Sequence, residues 1–159
     1  MTKRYILFAA SAVVVVAILV VALFASTSDM HVILYSPGHH TNLSAYSPDA
    51  ILLGRLVEHA FKTATGQLQL LTLPSDIERL RSTRPSVEVI FSTPQTLSNA
   101  QSRTPIQLDH LLVYIDNTSN PSSLVVYYGL AGTYMSGPYI NNRVFDKDIM
   151  ELLDKLTTQ

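Results

Sequence analysis

The chain has 159 residues, no cysteine, and eleven Lys/Arg against twelve Asp/Glu. The missing cysteine excludes disulfides, thiol catalysis, thiolate zinc or iron–sulfur sites, and a lipoprotein anchored through Cys. With Lys3 and Arg4 set aside the formal charge is −3, which argues against nucleic acid as a partner because that requires a basic face.

Residues 5–25, YILFAASAVVVVAILVVALFA, carry no charged side chain. As a helix rising about 1.5 Å per residue they match a hydrocarbon core of about 30 Å. In lipid each backbone N–H must bond within its own segment, so helix is the form available to a single span. The run is longer than the apolar stretch of a cleaved signal, although the small residues Ser26-Thr27-Ser28 would admit cleavage. Lys3 and Arg4 precede the run, and no Lys or Arg follows until Arg55. Positive charge stays on the cytoplasmic side, so residues 1–4 are expected inside and residues 26–159 outside. The expected organisation is a cytoplasmic N-terminus (1–4), a signal-anchor helix in the bilayer (5–25), a short linker (26–29) and an extracytoplasmic domain (30–159), in a single-pass protein of the cell membrane.

Within the domain, Met30 to Tyr35 is a short apolar run with β-branched residues and reads as a buried strand. The following SPGHHTNLSAY reads as a loop. Ser47-Pro48-Asp49 starts a helix, with Ser47 as N-cap, Pro48 in the first turn and Asp49 favouring the dipole. Leu53, Leu56, Val57, Ala60, Phe61 and Ala64 form its apolar face, and Gly66 is expected to end it. Gln67 to Leu73 reads as a second strand. Ser75-Asp76-Ile77-Glu78 matches a capping box for a short helix to about Ser82. Arg79, Arg81 and Arg84 on it read as a solvated face. Val87 to Phe91 reads as a third strand, and Thr93 to Pro105 as a polar connection with a helical turn near Gln95–Ala100.

Leu108 to Ile115 and Leu124 to Leu130 read as an antiparallel pair joined by DNTSNPSS, and a last helix is expected from about Asp146. Strand–helix–strand–helix–strand order predicts parallel crossovers in the first half. The expected fold class is therefore α/β, with a transmembrane helix followed by a mixed, roughly five-stranded sheet flanked by helices.

Two segments are candidate sites. Tyr127 to Asn142 gathers four of the eight tyrosines and three of the six glycines, the composition of a recognition loop, which points to Tyr127, Tyr134, Tyr139, Asn141 and Asn142 as partner- or ligand-binding residues. The competing reading is a strand end whose tyrosines pack on the sheet. His39 and His40, with Asp49 at a helix start, offer imidazole and carboxylate ligands for zinc or copper at the expected carboxyl end of a parallel strand. Against this, neighbouring histidines diverge, no third ligand is spaced beside them, and a solvated turn is the default explanation of the pair. His110 reads as a half-buried structural histidine. No GxSxG, HExxH, GxGxxG or GxxxxGK pattern occurs, so no cofactor is expected. Asn42-Leu43-Ser44 and Asn117-Thr118-Ser119 fit the glycosylation pattern, which is short enough to arise by chance. The leading expectation is an anchored domain that binds a protein or small ligand, as an accessory or assembly factor of a membrane complex with a membrane protein as partner. The alternative is an extracytoplasmic hydrolase or metal-binding protein at His39 and His40.

Overall fold

The structure is a computed structural model that describes residues 30–116, 123–141 and 151. The run 5–25, the link 117–122, Asn142 and most of the expected last helix lie outside these residues; Glu151 is helical. Among the described residues no helix is long and apolar enough to cross a membrane.

The elements in chain order are β1 (Met30–Ser36), β2 (His39–Leu43), α1 (Pro48–Lys62), β3 (Gly66–Gln67), α2 (Pro74–Thr83), β4 (Ser86–Leu97), β5 (Ile106–Asp116), β6 (Ser123–Leu130), β7 (Thr133–Tyr134) and β8 (Tyr139–Asn141). They build one eight-stranded sheet in the order β2-β1-β4-β5-β6-β8-β3, with β7 also paired to β6. Every pairing is antiparallel. The expected α/β fold with a five-stranded mixed sheet is thereby overturned, and the physical reason lies in where the connections lead. Parallel pairing arises only where a crossover helix joins strands that become neighbours. Here α1 leads from the edge strand β2 to β3 at the opposite edge, and α2 returns from there to β4 in the interior.

The segment expected as a loop after the first strand is instead a hairpin. Gly38 takes φ 76° in its turn, and His39 to Leu43 pair back along β1. Alternation along the strands then sorts the side chains onto two faces. Val32, Leu34, Val87, Val89, Leu111, Val113, Leu124 and Val126 pack with Leu53, Val57, Ala60 and Phe61 of α1. Leu112, Val125 and Tyr127 pack on the other face with Ile77 and Leu80 of α2. Each fully buried aliphatic or aromatic side chain in these layers contributes on the order of 1.5–3 kcal/mol.

Local chemistry sets the ends of the elements. Ser47 Oγ accepts from the Ala50 N–H at 3.1 Å, the cap its position predicts. The helix stops at Lys62, four residues before the expected Gly66, because other groups meet its last carbonyls. Asn141 Nδ2 donates to Ala60 O at 3.0 Å, and Asn99 Nδ2 donates to Phe61 O. The second helix begins at Pro74 rather than after Ser75, with the Leu73 N–H donating to Asp76 Oδ2 at 3.3 Å. The strand expected over Gln67 to Leu73 reduces to Gly66–Gln67. Conversely, β4 runs on through Pro94 to Leu97, where a helical turn was expected. The register jumps from Ile90↔His110 to Gln95↔Leu108, so Pro94 lies in a bulge where its missing N–H leaves no ladder bond open.

Candidate functional site

Glu88 stands in the middle of β4 and points to the α2 face, in a cross-strand row running Asn42, Ile33, Glu88, Leu112, Tyr127. It is 2 % exposed. A carboxylate there is tolerated only with strong partners. Tyr35 Oη donates to Oε2 at 2.6 Å, while Tyr134 Oη and Arg81 Nη2 donate to Oε1, each at 2.6 Å. Three elements meet here, since Tyr35 comes from β1, Tyr134 from β7 and Arg81 from α2. Ile77 and Leu80 turn one side of α2 into the sheet, and Arg81, one turn beyond Ile77, follows on the same side.

The Arg81 guanidinium lies 5.6 Å from the Tyr35 ring centroid and 5.8 Å from that of Tyr134. Its Nη1 also donates to Glu78 Oε1 at 2.6 Å, which places a second carboxylate at the surface end of the network. Nε is buried without a hydrogen-bond partner.

Electrostatics keeps the two tyrosines and Arg81 each in one state. Burial, followed by the hydrogen bond and charge of Glu88, raises the Tyr35 hydroxyl well above the ordinary tyrosine value, and burial followed by the Glu88 charge does the same for Tyr134. Burial acts to lower Arg81, but the hydrogen bond and charge of Glu88 outweigh it and hold the guanidinium above its usual value. The tyrosines therefore remain donors and Arg81 remains charged. Both oxygens of Glu88 are occupied, so this carboxylate is poorly placed to take a proton from a substrate.

Behind Tyr134 stands a second pair. The His110 ring meets it edge-on at 4.4 Å, and His110 Nδ1 bonds Asp109 Oδ1. The other Asp109 oxygen accepts the Ala131 N–H at 2.8 Å and closes the β6–β7 turn, where Ala131 (φ 54°) and Gly132 (φ 77°) take left-handed conformations. His110 is buried rather than half-buried, and its Nε2, without a hydrogen-bond partner, lies over Gly129, where a Cβ would collide with it.

Two clefts flank Arg81. The narrower, about 140 Å³, lies between the Thr72–Pro74 segment, α2 and Gly132–Tyr134. The wider, about 640 Å³, lies between the β1–β2 hairpin and α2, with Tyr35, His39, His40 and Asn42 on one side and Ser82 on the other. Glu78 and Arg81 line both. The two segments singled out in the sequence thus border a single composite face.

Within them the residues separate. Tyr134 belongs to the Glu88 network, and Tyr127 packs against it edge-on at 6.3 Å. Tyr139 points to the opposite face, buried against Phe61 and Tyr128 with centroids 5.5 Å away. Asn141 is fully buried at the end of α1, where it also donates to Thr63 Oγ1 at 2.9 Å. His39 and His40 are exposed on β2 with ring centroids 6.5 Å apart, and His39 Nε2 is 3.1 Å from Thr41 Oγ1. Asp49 sits in the first turn of α1. Among the described residues no three His, Cys, Asp or Glu side chains gather as a metal site would require.

Comparison with family models, with curated proteins and with solved structures finds no match to the chain. The central residues, Glu88, Arg81 and Tyr35, were not among the expected site residues. A signal existed in Val87-Glu88-Val89-Ile90-Phe91, since an acid in the middle of an apolar strand demands a buried partner. Arg81, read as part of a solvated face, is that partner.

Proposed function

We propose that the chain is a membrane-anchored binding module. Residues 5–25 hold it in the bilayer with residues 1–4 inside, and the domain stands outside as an accessory or assembly factor of a membrane complex. Its binding surface is the α2 face, where the two clefts meet at Glu78 and Arg81. One observation carries this reading: Arg81 is held from below by Glu88, Tyr35 and Tyr134, so the floor between the clefts is preorganised and loses little freedom when a partner is bound. The wider cleft adjoins β2, whose outer edge pairs with no other described strand and whose residues His39–Asn42 are exposed. An extended segment of a partner protein can add to that edge and direct alternate side chains into the cleft. The engagement of both Glu88 oxygens favours binding over acid–base catalysis.

The test is affinity capture of the full-length chain from its own membranes in mild detergent, beside a His40→Ala/Asn42→Ala variant. Both side chains are exposed, so the melting temperature should stay within about 2 °C, a shift typical of surface changes. A stoichiometric partner captured by the native chain and lost in the variant supports the reading. A partner retained by both removes it from this face, and no partner in either sample removes the stable assembly role.

A further inference from the structure

We propose that the end of the sheet where β1 begins lies against the bilayer, and that Leu70, Leu71, Leu73 and Met135 enter its headgroup region. This rests on the anchor reading of residues 5–25 and adds a second, peripheral membrane contact made by the domain itself.

The four side chains are 50 %, 74 %, 47 % and 39 % exposed. Single exposed apolar residues are ordinary, but a cluster marks an interaction surface. Two hydrogen bonds join the segments that carry them: the Gly137 N–H donates to Leu70 O at 2.8 Å, and the Thr72 N–H donates to the Ser136 side-chain Oγ at 3.2 Å. The two stretches that supply them, Thr63–Ser75 and the turn Ala131–Ser136, contain no Asp, Glu, Lys or Arg. A surface meant for water would not omit charge over both segments, whereas a surface entering the apolar boundary of a bilayer must.

Register places the cluster. Met30 pairs with Phe91, and the adjoining row is Ile90, His110, Gly129. The start of β1 therefore shares its end of the sheet with the β6–β7 turn at Ala131-Gly132. Thr72 and Leu73 line the narrow cleft together with Gly132 and Thr133, which brings the leucine segment to the same end. The far end carries Ser36, paired with His39.

Chain length selects the occupant. The apolar run ends at Ala25 and β1 begins at Met30, so the connection spans at most about 18 Å. The seven residues of β1 are themselves about 23 Å long. The tether thus holds the Met30 end within about 18 Å of the lipid and sets no such limit on the Ser36 end. Lipid is the one partner the chain delivers to this patch by its own connectivity.

The chain lacks cysteine, so single-cysteine labelling is free of background. Full-length Leu71→Cys, Met135→Cys and His39→Cys variants, each carrying an environment-sensitive fluorophore, are reconstituted into phosphatidylcholine vesicles containing lipid with a nitroxide near the headgroup. An alkaline carbonate wash comes first. Retention through the wash, with the labels at Leu71 and Met135 quenched about threefold or more beyond that at His39, is the expected result, because the apolar face of an interfacial segment lies ~5–10 Å into the boundary. Retention with equal quenching at all three positions overturns the apposition and leaves the anchor standing. Release by the wash overturns both. A blue shift at Leu71 that rises with protein density without lipid quenching assigns the patch to a second copy and also overturns the proposal.

Discussion

Glu88 is the residue on which the α2 face depends. Its charge is the counterpart of Arg81, and its oxygens receive two tyrosine hydroxyls. Glu88→Gln keeps the shape but removes the charge, leaving the guanidinium with only Glu78 at the surface. The expected loss is about 3–5 kcal/mol in urea denaturation, the usual cost of breaking a buried pair; a loss under about 0.5 kcal/mol, the scale of neutral surface changes, would show that Glu88 does not hold this face. The tyrosines give the pH dependence. Tyr35 and Tyr134 are raised by burial and then by Glu88, and Tyr114 is raised to about 12 by burial and then by Tyr127 and Asp116. Below the unfolded value of about 10 all three are protonated in both states and their contribution is complete. Above it the unfolded chain ionises while the folded chain does not, so stability falls as pH rises, from about 10 to about 12 for Tyr114 and further for the other two. Ultraviolet titration should find tyrosines that ionise only as the protein unfolds; ionisation of all of them near pH 10 in the folded state would contradict the network.

At the scale of elements, the caps and turns make the predictions. Ser47→Ala removes the acceptor for the Ala50 N–H and should cost about 1 kcal/mol in thermal denaturation, a typical N-cap loss. Gly129→Ala drives a Cβ into His110 Nε2 and the Thr133 carbonyl, and should cost about 1–3 kcal/mol as overpacking does; a neutral result would mean that His110 can swing away. Both helices were legible because their apolar spacing and starting residues are local signals. Ser47 caps as expected, and Asp76 still closes the start of α2 although the helix begins earlier. The hairpin strand β2 was not legible, because His-His-Thr-Asn has no apolar alternation and holds its place through backbone pairing with β1. The extension of β4 was hidden by Pro94, which ends a flat strand but is accommodated in a bulge. The pair β5 and β6 was read correctly because each is apolar on both faces and buried between α1 and α2.

For the whole molecule, topology rather than pattern was the unreadable part. Helical spacing between strands suggested parallel crossovers, but nothing in the residues records that α1 spans the sheet from edge to edge. That route places α1 and α2 on opposite faces, leaves β2 as an edge and lets Tyr134 meet Arg81. Tyr139 and Asn141, chosen on composition alone, fall instead in the α1 layer. A Tyr134→Ala/Tyr139→Ala variant therefore should lower the melting temperature through both layers, with each large aromatic truncation costing about 3–5 kcal/mol, so loss of binding in it would report on folding. The domain is proposed to be anchored and to present its wide cleft outward. A His40→Cys variant of the full chain, treated in intact cells with a membrane-impermeant maleimide, tests it most directly. Labelling before the membrane is opened is the predicted result; labelling only after disruption would place the cleft inside and contradict the account.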